Sequence, residues 1–198
     1  MMSVIKNNAS YVLKLFINHF VSGIYSLVLY IVLSVAFEGK YIIAGSILSI
    51  LFYLYLIYSF MWEAGAKRAV GFNDRAVRIT DGAVIISVAS SVFYLSTVMA
   101  FVLSFFTTNA EFAEKAVDVL YNTLFYINVF FTQSMYSGLL SGIFGGIPNV
   151  APLWYLISLF PGLITASVAY YMGSKSFRIR KIFGISYDEE KEKIKNNY

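Results

Sequence analysis

The stretch VLYNTLFYINVFFTQSMYSGLLSGIFGGIPNVAPLWYLISLFPGLITASVAYYMGS, Val119 to Ser174, runs for 56 residues without an Asp, Glu, Lys, Arg or His. Soluble domains carry roughly a quarter of charged residues, so a run of this length belongs in lipid. A helix rises about 1.5 Å per residue and needs ~20 apolar residues to cross the ~30 Å hydrocarbon core, which leaves room here for two crossings. Whether the run makes two crossings or one decides on which side of the membrane the C-terminus lies.

The rest of the chain agrees with a membrane setting: its 198 residues are 59% hydrophobic and only 13% charged. The charged residues cluster between apolar runs, so residues 1–174 read as one transmembrane domain and residues 175–198 as a cytoplasmic basic tail. A net charge of +4 in a soluble protein would suggest nucleic acid. Here the basic residues flank apolar spans, where they face the cytoplasmic lipid surface, and no nucleic-acid partner is expected. There is no cysteine, which excludes disulfides, thiol catalysis, thiolate metal sites and prenyl anchoring. Lys6 and Lys14 before an apolar stretch, with Ser34-Val35-Ala36 after it, resemble a signal peptide, but the apolar segment is longer than a ~7–15-residue signal core. A retained first helix is expected.

Spans are expected at about residues 15–37, 41–62, 82–106 and 153–172. Glu38-Gly39-Lys40 is a tight turn that makes the first two a helical hairpin, and Trp62 marks a membrane border. Glu63 to Asp81 is a polar loop carrying Lys67, Arg68, Arg75 and Arg78, with Glu63 and Lys67, and Asp74 and Arg78, spaced for pairing one helical turn apart. Hydropathy alone counts five crossings, with 119–147 as the fourth, hinged from the last at Gly145-Gly146-Ile147-Pro148. Five would send Lys175, Arg178, Arg180 and Lys181 outside while the central basic loop stays inside, against the positive-inside rule. Four crossings remove the conflict and put both termini in the cytoplasm. Residues 119–147, interrupted by Asn122, Thr123, Asn128, Thr132, Gln133, Ser134 and Ser137, then form a re-entrant or outer-surface helical segment shielded by protein. Five crossings, with the tail outside, remain the alternative.

Beyond the last span, Lys175 to Lys181 reads as a lipid-contacting basic stretch, and Ser186-Tyr187-Asp188-Glu189 as the capping box of a short cytosolic helix. Within the spans no ionisable residue is expected to lie deep; His19, with Asn18 and Lys14, reads as an interfacial face. One histidine without neighbouring carboxylates or thiols offers neither a metal site nor an activated nucleophile, so no enzyme activity and no cofactor are expected. Gly138, Gly142 and Gly146 recur every fourth residue, and Gly162, Ala166, Ala169 and Gly173 repeat the small-residue spacing on the last span. These read as helix-packing faces. Asn128, Thr132 and Gln133, with Gly138, Gly142 and Gly146, form the candidate packing or pore face, and Pro161 is expected to kink the last span. Ser87, Ser90, Ser91, Ser96 and Thr97 of the third span can bond back to helical carbonyls, which makes them tolerable in lipid.

Lys67, Arg68, Arg75 and Arg78 are the candidate cytosolic contact. Glu63-Ala64-Gly65 resembles the start of the loop by which ABC permeases engage their ATPases, but the expected glycine is displaced to Gly71, so the charges read as topology signals. Trp62-Glu63-x-Gly65, Phe72-Asn73-Asp74-Arg75 and Asp81-Gly82 resemble small integral membrane proteins of low-GC Gram-positive bacteria that carry no assigned activity. That resemblance covers about the middle quarter of the chain and implies a bacterial inner (plasma) membrane location and no particular chemistry. The expected function is a non-enzymatic subunit of a membrane transport or membrane-associated complex, with the lipid bilayer, a membrane or cytosolic protein, or a second copy as partner. The alternative is a homo-oligomeric channel or small-solute pore.

Overall fold

The structure is a computed structural model that describes residues 2–71, 78–106 and 113–175. Its elements are α1 (Met2–Asn7), α2 (Ala9–Ala36), α3 (Ile42–Gly71), α4 (Thr80–Ala89), α5 (Ser91–Leu103), α6 (Ala113–Ile127), a π-turn (Asn128–Thr132), α7 (Ser134–Phe144), a short 3-10 turn (Ile147–Asn149), α8 (Pro152–Ile157) and α9 (Phe160–Ser174). The fold is an all-α bundle. Three helical stretches among the described residues are long and apolar enough to cross a membrane: Ala9–Ala36, Ile42–Arg68 and Pro152–Ser174. Their outward sides are apolar: Ile24, Val28, Ile31 and Val35 on α2, Leu48, Leu51 and Tyr55 on α3, and Ile164 and Val168 on α9 are all exposed. A continuous surface of this kind suits hydrocarbon rather than water.

The expected hairpin is present. Glu38 and Gly39 turn the chain at positive φ, 51° and 79°, and the Lys40 N–H closes the turn on the Phe37 carbonyl at 3.0 Å. Glycine adopts this conformation without steric cost, whereas Glu38 is held there by the turn. At the other end of the pair, Lys67 reaches Glu63 at 3.0 Å, the expected pairing across one turn, and its ammonium lies 5.4 Å from the Tyr11 ring centre.

The closest packing joins α3 to α9. A Cβ built on Gly65 would lie 2.1 Å from the Tyr170 carbonyl oxygen, and one on Gly173 would lie 2.1 Å from that of Trp62. The two glycines therefore let the backbones touch in both directions, and Ala166, Ala169 and Gly173 are buried along the seam. α4 joins the same seam through Gly82, whose Cβ would meet the Ala166 carbonyl at 2.4 Å. Small residues serve this purpose in lipid, where close van der Waals contact replaces the hydrophobic drive between helices.

Two expectations need correction. The third span, read as one helix over residues 82–106, consists of α4 and α5 bent by 79° at Ser90. The adjacent Ser90 and Ser91 sit at the break; paired serines supply local hydrogen-bonding alternatives to the helix ladder and are a recognised cause of sharp kinks. As one bent unit this pair would make a fourth crossing. His19, read as interfacial, is only 2% exposed. It lies about 12 Å further along α2 than Tyr11, eight residues away, and is enclosed by α3, α5 and the π-turn.

The last span also breaks where a kink is expected: α8 ends at Ile157 and α9 starts at Phe160, with Pro161 in its first turn, where a missing N–H costs least. The turn after α7 is made by Gly145 and Gly146 at φ 72° and 132°, with Asn149 Nδ2 donating to the Phe144 carbonyl at 3.2 Å. Arg78, the 176–198 tail and its capping box divide at the edge of the description: Arg78 is exposed, while the tail, Asp74 and Arg75 lie outside the described residues.

Candidate functional site

The polar residues of the uncharged run decide what the bundle encloses. Between α6 and α7 the chain passes through one π-turn, in which the Gln133 N–H bonds the Asn128 carbonyl at 2.8 Å. The next N–H groups then reset: those of Tyr136 and Ser137 both go to the Gln133 carbonyl, at 2.9 and 3.2 Å. The shift leaves backbone carbonyls that would be costly in a low-dielectric interior, and neighbouring helices supply the missing donors. His19 Nε2 lies 2.8 Å from the Thr132 carbonyl, Ser137 Oγ donates to Val129 at 2.6 Å, and Ser46 Oγ donates to Met135. Gly23 allows this approach, because a Cβ there would lie 2.3 Å from the Phe131 carbonyl; Ser134 Oγ in turn donates to the Gly23 carbonyl at 2.7 Å.

Asn128 ties this break to the one at Ser90. Its Oδ1 accepts from Ser96 Oγ at 3.0 Å, Thr97 Oγ1 at 2.9 Å and Thr132 Oγ1 at 2.5 Å, while its Nδ2 donates to the carbonyls of Leu124 and Ser96 at 2.9 and 3.2 Å. Ser96 and Thr97 bond back to Phe93, as expected for a span in lipid, and also serve as the contact between α5 and the π-turn. Gln133 reaches the third break, lying 3.2 Å from Ser158 Oγ. Three interrupted helices thus meet through two amide side chains.

His19 is held from both sides. A carbonyl can only accept, so Nε2 carries the hydrogen toward Thr132, and in the neutral ring the bare Nδ1 accepts from the Tyr53 hydroxyl at 2.9 Å. Phe93 stacks on the imidazole at 4.2 Å between centres, and Tyr53 meets it edge-on at 5.3 Å. Between His19 and Gln133 lies a narrow crevice, too thin as packed to seat a water molecule, walled also by Tyr53, Tyr94, Tyr136, Ser158, Leu159 and Gly162.

The six residues of the expected packing or pore face do not share one surface. Asn128, Thr132 and Gln133 point into the bundle and are at most 4% exposed. Gly138 packs on Ile42 and Ser46, and Gly142 on Ile43, while Gly146 lies past the helix end in the turn. Of the basic residues expected to meet a cytosolic partner, Lys67 is exposed but paired with Glu63. Arg68 turns inward: its Nη2 lies 3.8 Å from Asp81 Oδ2 and its Nη1 3.3 Å from the Tyr170 hydroxyl, and both charged side chains are over four-fifths buried. Because this pair joins α3, α4 and α9, Asp81→Asn should lower stability by about 1–3 kcal/mol, with most of the loss recovered when Arg68→Met accompanies Asp81→Leu. Thermal unfolding of the purified variants checks this; equal melting of Asp81→Asn and the parent would show the pair to be idle.

His19, Tyr53 and Tyr136 were not expected at the centre. A signal for His19 existed in the sequence: Asn18, His19, Ser22, Gly23 and Ser26 form a polar and small stripe at helical spacing, and all five are buried. Among the described residues no three His, Cys, Asp or Glu side chains come together. Comparison with family models, curated proteins and solved structures finds no match to this chain.

Proposed function

We propose that the chain is a non-enzymatic membrane transport component in which solute passes through the point where the three interrupted helices meet. The observation that carries this reading is the π-turn at Asn128–Thr132, buried in the bundle with its redirected carbonyls and amide side chains facing His19 and Tyr53. Broken helices are tolerated at membrane depth only where protein or a cavity satisfies them, and in many transporters they form the substrate site near the midplane. Tyr53 is nine residues before the border residue Trp62, about 14 Å along α3 and so near the middle of a ~30 Å core.

The same geometry favours a path within one chain over a pore between copies, since Asn128 and Thr132 are taken up by internal contacts and Gln133 is buried inside the bundle. Reconstituted into liposomes, the protein should admit at least one small solute severalfold faster than protein-free vesicles do. Equal entry for every solute of a panel of acetamide, glycerol, K⁺ and Cl⁻ would overturn the reading.

The accompanying topology places both termini on the inner side and the Glu38–Gly39 turn outside. The chain has no cysteine, so Lys40→Cys and Lys175→Cys can be probed singly; both positions are exposed. An impermeant thiol reagent should label Lys40→Cys on intact cells and Lys175→Cys only after permeabilisation. Labelling of Lys175→Cys from outside would require five crossings.

A further inference from the structure

We propose that the crevice between His19 and Gln133 is a binding site for a small, neutral, hydrogen-bonding solute, a carbonyl- or hydroxyl-bearing molecule of acetamide or glycerol size. Its role as a transport site rests on the reading above; its existence as a binding site does not.

Two buried groups at this crevice lack partners. Tyr136 is 6% exposed, and its hydroxyl has no hydrogen-bond partner in the protein. Gln133 is 1% exposed and uses one end of its amide on Ser158. The Ser158 hydroxyl has one hydrogen: given to the Tyr155 carbonyl at 2.7 Å, it leaves Ser158 Oγ to accept from a turned-over amide, and given to Gln133 Oε1 at 3.2 Å, it leaves the amide nitrogen unpaired. Either way the other amide end is free. An unpaired polar group of this kind is costly, and natural interiors keep few of them. Two at one crevice, beside a histidine whose two ring nitrogens are already engaged, point to a ligand that supplies the missing partners.

The chemistry of the walls selects that ligand. The crevice is lined by an imidazole, three phenols, an amide and a hydroxyl together with Leu159 and Gly162, and no carboxylate, ammonium or guanidinium reaches it. Without a countercharge, burying an ion would cost far more than these groups return. A free amide end and a free phenol suit a solute that both donates and accepts, and Leu159, Gly162 and the tyrosine rings suit its apolar edge. As packed the crevice is too thin for a water molecule, so only a solute of a few heavy atoms can enter without rebuilding the bundle. Since the walls are closed in this structure, entry requires the interrupted helices to part.

Tyr136→Phe tests the site, because it removes a hydroxyl that bonds nothing in the protein and should leave the melting temperature unchanged or higher. Saturation-transfer NMR of acetamide and glycerol on the solubilised protein reads binding, and their entry into proteoliposomes reads transport. The parent should show both for at least one solute, and Tyr136→Phe should weaken both by about tenfold, the worth of one hydrogen bond. Tyr55→Phe, on the exposed side of α3, should match the parent. Saturation transfer unchanged in both Tyr136→Phe and Gln133→Met, transfer from neither solute, or passage of water or of K⁺ and Cl⁻ alone would overturn the assignment. Binding that depends on Tyr136 without entry into vesicles would keep the site and defeat the transport reading. Entry of solute that is indifferent to both variants would do the reverse.

Discussion

Gly173→Ala and Gly65→Ala should each disrupt the bundle, although alanine is ordinarily the better helix former. The added Cβ would fall 2.1 Å from the Trp62 or the Tyr170 carbonyl oxygen, and neither oxygen can move without its helix. Overpacking a well-filled core usually costs about 1–3 kcal/mol, and a backbone neighbour puts these cases at or above the upper end. In a chain of 198 residues ~3 kcal/mol corresponds to a melting temperature lower by roughly 6–12 °C. Gly162→Ala gives the internal contrast. It belongs to the same small-residue ladder, yet its Cβ would stand 3.6 Å from Ile57 Cδ1 and from the Tyr53 hydroxyl, ordinary contact distances. That variant should melt as the parent does or higher, gaining the ~0.5–1 kcal/mol by which alanine exceeds glycine in helices. Melting of the three variants in one detergent decides the matter, and equal values for Gly162→Ala and Gly173→Ala would refute the seam as described.

The second large effect belongs to Asn128→Leu, a near-isosteric change. It deletes an acceptor shared by Ser96, Thr97 and Thr132 and a donor to two backbone carbonyls, all inside the bundle. Single interhelical hydrogen bonds in membranes average only about 0.6 kcal/mol, but the loss of several together, with buried hydroxyls left behind, should total about 2–4 kcal/mol. Thr97→Val alone should cost less, because it removes one hydroxyl and leaves Asn128 its bonds to Ser96, Thr132 and Leu124. The double variant should cost less than the sum of the two, with a coupling of about 1 kcal/mol, since Thr97 and Asn128 share one bond. Strict additivity would mean that the contact between the two breaks carries no energy.

The bundle itself was readable from apolar run lengths and from charge at their ends. The Glu38-Gly39-Lys40 hairpin turn, the Glu63–Lys67 pair and the interruption near Pro161 all follow from residues whose backbone or charge preferences act locally. Helix orientation was harder. In water the buried face of a helix is the apolar one, but in lipid both faces are apolar, and Ile24 facing outward looks no different in sequence from Ile57 facing inward. What marks the inside here is polarity and smallness. The stripe from Asn18 to Ser26 carried that mark, and a reading of His19 with Asn18 and Lys14 as an interfacial face missed it. The bend at Ser90 was hidden for a related reason: five serine and threonine residues in one apolar run are each tolerable in a straight helix, and only their partner Asn128, about 30 residues on, shows which of them faces another chain segment.

The seam between α3 and α9 also sets an order of assembly. Gly65 and Gly173 are more than a hundred residues apart in the chain, so the nascent polypeptide inserts its first hairpin well before the helix that covers it is synthesised. Until then the Trp62 and Tyr170 sides of the contact are strangers, and the short pieces α4 to α8 have no long partner to lean on other than the hairpin. α9, the last described helix, is thus a closing wedge, and this side of the bundle stays open until residues 160–174 have been made.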